Sequence, residues 1–114
     1  MAFSADELTA ITTLLDEWAE GRVPIMVRDE LVLQYRITRH DVLLFEKRPA
    51  FRAPGEWTER HVAKFRFNRR RGTWSLLWRD RHVRWHTYEP LPLARELRTL
   101  VEEVDRDPAG IFWG

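Results

Sequence analysis

Few residues in this chain are equipped for acid–base or metal chemistry. His82 and His86 stand four apart, Glu59 and His61 stand two apart, and Asp105 and Asp107 bracket one position. On a helix, two histidines at i and i+4 share a face and chelate a metal ion. On an extended segment, at about 3.3 Å per residue, they lie ~13 Å apart, too far for one ion. The residues around His82 and His86 alternate in strand fashion, so no metal site is expected from them. Glu59 and His61 point the same way on an extended segment, about 7 Å apart, which suits a ligand but equally a solvated surface. Asp105 and Asp107 precede Pro108 and Gly110 and read as a helix stop. The G-x-S-x-G, P-loop and G-x-G-x-x-G patterns are absent. A small enzyme would have to use His61, His82, His86 and Glu59 in a cleft.

A different chemistry is suggested by "KFRFNRRRGTWSLLWRDRHVRWH", Lys64 to His86, which alternates aromatic and basic residues. Residues 60–86 hold nine bases and one acid, Asp80. Residues 1–21 hold five acids and no bases, so a net charge of +1 conceals acidic ends and a basic middle. With period two, Phe65, Phe67, Trp74, Leu76, Trp78, Val83 and Trp85 form one side, the expected core. Lys64, Arg66, Arg79, Arg84, His86 and Tyr88 form the other, joined by Arg36, Lys47, Leu43, Phe45 and Leu77. A basic, partly aromatic sheet face left open suits phosphate backbones or single strands. A solvated sheet face also carries Lys and Arg, with Glu46 and Glu59 nearby, so both readings stand at this level.

The elements that must hold this face are legible in outline. Ser4 and Glu7 make a capping box, and Phe3 and Leu8 are spaced for a hydrophobic staple. Leu8, Ile11, Leu15 and Trp18 recur at helical spacing, and Gly21 can close the helix in the left-handed conformation. Strands follow at 31–38, 42–48, 63–68, 74–79 and 83–88, with Ile25–Val27 a short extra one. "NRRRG" and "RDR" read as turns. Pro49, Pro54 and Gly55 make 48–59 a loop, and Phe51 and Trp57 suggest that it folds back onto the body. A second helix has Ala94, Leu97, Val101 and Val104 as its stripe and stops at Asp107–Pro108. Ile111, Phe112 and Trp113 are too apolar to trail in water, so the tail is expected to dock on the core.

The 114 residues are the size of one domain, and the 44% hydrophobic fraction is enough for a core. No cysteine is present, which excludes disulfides, thiolate metal sites and a Cys nucleophile. It also favours a reducing cytoplasm. The acidic N-terminus does not read as a signal peptide, and no segment approaches the roughly 20 apolar residues of a membrane span.

"FEKRPAF", "EWTERHVAKFRF", "TWSLLWRDRHVRWHTYEP" and "EVDRDPAGIFWG" together resemble the bacterial family called domain of unknown function 3024, from about Leu31 to Gly114. Phe51 stands where that family usually has Trp. The resemblance implies a small, stand-alone, intracellular bacterial protein. It supplies no catalytic or binding residue.

The expectation is a single α+β domain spanning 1–114, an antiparallel sheet of about five strands with an N-terminal and a C-terminal helix on one face. Its expected role is non-enzymatic binding of an anionic partner, foremost nucleic acid. The phosphate contacts fall to Lys64, Arg66, Arg69, Arg70, Arg71, Arg79 and Arg84, with His86 and Tyr88 stacking on bases or contacting phosphate. The alternative is a protein-interaction module using the same face, or the sheet edge, with an acidic or apolar partner or, through the face, a second copy. No cofactor is expected.

Overall fold

The computed structural model describes residues 2–23 and 31–113, so the strand expected at Ile25–Val27 lies outside the described residues. Helix α1 spans Ala5–Arg22. Its capping box forms: the Ser4 hydroxyl accepts from the Glu7 amide (3.1 Å) and the Glu7 carboxylate from the Ser4 amide (2.8 Å). The staple does not. Phe3 turns to Phe67 and Trp74, with ring centroids 5.9 and 5.6 Å away, and Leu8 stays exposed. The larger aromatic surface on the sheet wins Phe3. Gly21 lies inside the helix, which runs one residue further and is closed by Val23 in extended conformation.

Six antiparallel strands follow: β1 Val32–Ile37, β2 Asp41–Pro49, β3 Trp57–Asn68, β4 Thr73–Arg79, β5 Trp85–Thr87 and β6 Leu93–Ala94. Spatial order is β1-β2-β3-β4-β5, with β6 also on β4. Helix α2 spans Leu97–Arg106. Ala94 therefore belongs to the sheet, not to the helix stripe. β5 and β6 are two pieces of one interrupted strand along β4. The Tyr88 amide donates to the Leu76 carbonyl (2.9 Å) and the Leu76 amide to that of Pro92 (3.2 Å). Pro90 and Pro92 have no amide hydrogen to give the ladder, so the strand breaks there.

Both helices lie on one face. Ile11 and Leu15 of α1 and Leu97, Leu100, Val101 and Val104 of α2 pack with Val42, Leu44, Ala63, Phe65, Trp74 and Leu76 into one core. The tail docks on that core as expected. Asp107 ends α2 in the left-handed conformation (φ 43°), and its carboxylate accepts the amides of Ile111, Phe112 and Trp113 at 2.9, 3.1 and 3.0 Å. This turns Phe112 under the sheet beside Tyr88 (5.2 Å). The Trp113 indole donates to the Val104 carbonyl at 2.7 Å.

Two corrections concern exposure. Tyr88, expected on the open face, is 1% exposed. Its hydroxyl donates to Glu103 (2.7 Å), whose other oxygen takes Arg106 (2.7 Å). Burial, then this bond, pushes the phenol up to about 12. Arg106, then Tyr88, holds the Glu103 carboxyl below the usual range. Phe51, expected to fold back, is 95% exposed, and Trp57 is 47% exposed. The β2–β3 ladder continues to Pro49↔Trp57, while β4 joins β3 only from Lys64 on. The end of the hairpin is thus an arm with no body beneath it.

Tyr88→Phe should cost about 1–3 kcal/mol, because it strips a donor from a buried carboxylate. It should lower the urea midpoint without changing the slope. Glu7 carries a pH dependence. Arg69, then the Ser4 amide, holds its carboxyl at about 2, against an ordinary 4.5. A depressed folded-state pKa gives stability that is complete above about 4.5 and lost as pH falls toward about 2. Acid unfolding curves of the Glu7→Gln variant should be flatter over that window.

Candidate nucleic-acid interface

Register decides which residues share the outer face, the one opposite the helices. From β1 come Gln34 and Arg36, from β2 Leu43, Phe45 and Lys47, and from β3 Lys64 and Arg66. β4 gives Ser75, Leu77 and Arg79, and β5 gives Trp85 and Thr87. A bulge in β3 adds two more. Leu44 pairs with Ala63 but Phe45 pairs with His61, so Val62 is the extra residue. Its effect is to keep Glu59 and His61 on the outer side, where the His61 ring nitrogen meets Glu59 at 3.2 Å.

A row of rings crosses this face. Phe45 meets His61 edge-on at 6.3 Å, and His61 stacks on Trp85 at 6.4 Å with an interplanar angle of 16°. Arg36 lies over Phe45 (4.8 Å) and Lys64 over Trp85 (4.5 Å). Phe45 is only 3% exposed beneath these cations, while His61 and Trp85 are half-buried. Among the described residues, the carboxylates Asp41 and Glu59 on this face are both engaged, Asp41 with Arg66 (2.9 Å) and Glu59 with Arg36 (3.3 Å). Lys47, Lys64 and Arg79 have no ion-pair partner among the described residues.

The residues expected to bind nucleic acid do not converge on this face as a group. Lys64, Arg66 and Arg79 lie there. Arg69 is turned to the helix side, bonded to Glu7 (2.7 Å) and set over Phe67 (5.4 Å). Arg70 and Arg71 sit exposed at the β3–β4 turn, and Arg84 lies at the other end of β4. Those ends are roughly 20 Å apart, at about 3.3 Å per residue. His86 is on the inner side, stacked on Trp78 (4.8 Å) and bonded to Asp80 (2.6 Å). Tyr88 is core.

The misplacement of β5 is a phase error of one residue, which inverts every side chain of a strand. The expected tight "RDR" turn is in fact longer, Asp80 to Arg84. The Asp80 carboxylate accepts the amides of His82 (2.8 Å) and Arg84 (3.0 Å), and the Asp80 amide donates to the Arg84 carbonyl (2.9 Å). Val83 takes a φ of 69° and is 61% exposed, so it is not core. Trp85 thereby goes out, and His86 and Tyr88 go in. The signal for this was present: an Asp side chain that accepts the amide two residues on builds an Asx-turn. The ring row was missed because it depends on this turn and on the Val62 bulge together.

Among the described residues, no group of three or more His, Cys, Asp or Glu is placed to hold a metal ion. No helix among them is long and apolar enough to cross a membrane.

Fold and face together define an α+β protein with a one-sided core and a cationic sheet surface that no described element covers. The chain belongs to the family described as domain of unknown function (DUF3024), whose model matches residues 3–114. No curated protein and no solved structure matches it.

Asp80→Ala should lower the melting temperature and speed amide exchange in β5 far more than in β2. In the unsubstituted protein, His86, then the Arg84 and His82 amides, hold the Asp80 carboxyl at about 2 against an ordinary 3.8. β5 protection should therefore be intact above about 3.8 and fade as pH falls toward about 2.

Proposed function

We propose that the chain binds single-stranded nucleic acid without catalysis, along the outer sheet face. One observation carries the reading: a half-buried ring pair, His61 and Trp85, lies among cations whose local carboxylates are already engaged. Unpaired bases stack on rings of this kind with little sequence preference. Lys64 would leave the Trp85 ring and join Lys47 and Arg79 on the phosphates. Arg66, tied to Asp41, would contribute less. Phe45 is the floor of the face rather than a platform.

The reading moves the binding residues away from the β3–β4 turn, and the test uses that. Fluorescence anisotropy with short single-stranded DNA and RNA should show binding at about 50 mM salt that weakens steeply by about 200 mM. Trp85→Ala should weaken it by about tenfold, the worth of one stacked base. Lys64→Glu with Arg79→Glu should abolish it, while Arg70→Glu with Arg71→Glu should leave most of it. No binding at low salt sinks the proposal, and loss only in the turn variant moves the surface elsewhere.

A second reading rests on a separate observation, the exposed apolar tip of the β2–β3 arm. Phe51 and Trp57 there favour contact with a protein, a second copy included. Light scattering of the purified chain and of a Phe51→Ser variant distinguishes a dimer from a monomer.

A further inference from the structure

β3 is shared unequally between its neighbours. It pairs with β2 from Trp57 to Arg66 but with β4 only from Lys64 to Asn68. From Trp57 to Ala63 the flank turned away from β2 has no strand partner among the described residues, while β4 runs on past Leu77 with β5 on its other edge. The sheet forks there. The fork opens a cleft of about 310 Å³. Glu59, Arg60 and His61 of β3 line one side, Arg79, Asp80 and Arg81 the other.

The charges in this cleft are unequally satisfied. Glu59 is held by Arg36 and His61, and Asp80 by His86 and two backbone amides. Arg60 is held by Glu46 (3.4 Å) and the Phe112 carbonyl (2.8 Å). The side chains of Arg79 and Arg81 make no hydrogen bond or ion pair among the described residues. Two guanidiniums without a partner among the described residues thus line a cleft whose carboxylates are occupied, beside a strand flank that no described strand pairs. His61 and Arg79 belong both to this cleft and to the outer face, so the cleft opens beside the ring row at His61.

We infer that the cleft takes a phosphomonoester dianion, and specifically the terminal phosphate of a strand lying on the outer face. The inference rests on the proposed function for its second half. A terminal phosphate carries about −1.5 to −2 charge at neutral pH and three strong acceptor oxygens. An internal phosphodiester carries a single charge. Guanidinium forks bind such oxygens in pairs, and two forks suit the extra oxygen and charge of the monoester.

The test compares oligonucleotides of one sequence bearing a 5′-phosphate, a 3′-phosphate or only hydroxyl ends, with inorganic phosphate titrated separately by thermal shift. One phosphorylated form should bind about tenfold or more tighter than the hydroxyl form. Arg79→Gln and Arg81→Gln should each erase most of that preference, and circular dichroism checks that both variants fold. Arg81 is exposed, so its variant serves if Arg79→Gln does not fold. Equal affinity for all three oligonucleotides overturns the inference and leaves the outer face as a binding surface. If none binds, the sheet-face reading fails, and the cleft is judged on inorganic phosphate alone. A thermal shift lost in Arg81→Gln then keeps it as a site for a small phosphate ester, and no shift overturns it.

Discussion

Asp80 decides which side of the sheet every residue of β5 faces. Its carboxylate gathers the amides of His82 and Arg84 and lengthens the turn by the amount that sets the strand phase. Shift that phase by one residue and Trp85 enters the core, Tyr88 leaves it, and Glu103 loses the hydroxyl that satisfies it. The outer ring pair and the inner Tyr88–Glu103 bond are therefore two results of one turn. The turn is itself held partly from the inner side, since His86, within β5, bonds back to Asp80. Local electrostatics and global packing agree there, as expected where a sequence specifies a single structure.

The legible parts of the sequence were those set by local period. α1 with its capping box, the two-residue alternation of β2 to β4, and the apolar stripe of α2 are all carried by spacing within one element. The tail was legible through its composition, since Ile111, Phe112 and Trp113 together have few places to go. The phase of β5 was not. It depends on a side chain bonding backbone two and four residues on, which an alternation count passes over. The Val62 bulge escaped for a related reason: a bulge is defined against the partner strand, and β2 lies elsewhere in the chain.

Charge segregation along the sequence proved a poor guide to charge in space. The basic middle is distributed over two faces and both ends of the sheet. Part of it is spent on internal pairing, Arg66 with Asp41 and Arg69 with Glu7. Arg69 is the clearest case. It sits in the most basic triplet of the chain, yet it fastens the start of α1 to the sheet beneath Phe3. The face that remains is less charged than the sequence suggests, and its rings are different ones: the turn and the bulge bring Trp85 and His61 to it in place of His86 and Tyr88.

The break between β5 and β6 bears on solubility as well as on topology. This edge of the sheet is presented in pieces of three and two residues, separated by a segment with two prolines. A second molecule seeking to extend the sheet would find no run of open amides and carbonyls long enough to template a strand. The kink that costs β4 a continuous neighbour thus works as a guard against edge-to-edge polymerisation, on the margin of a sheet whose other features favour adhesion.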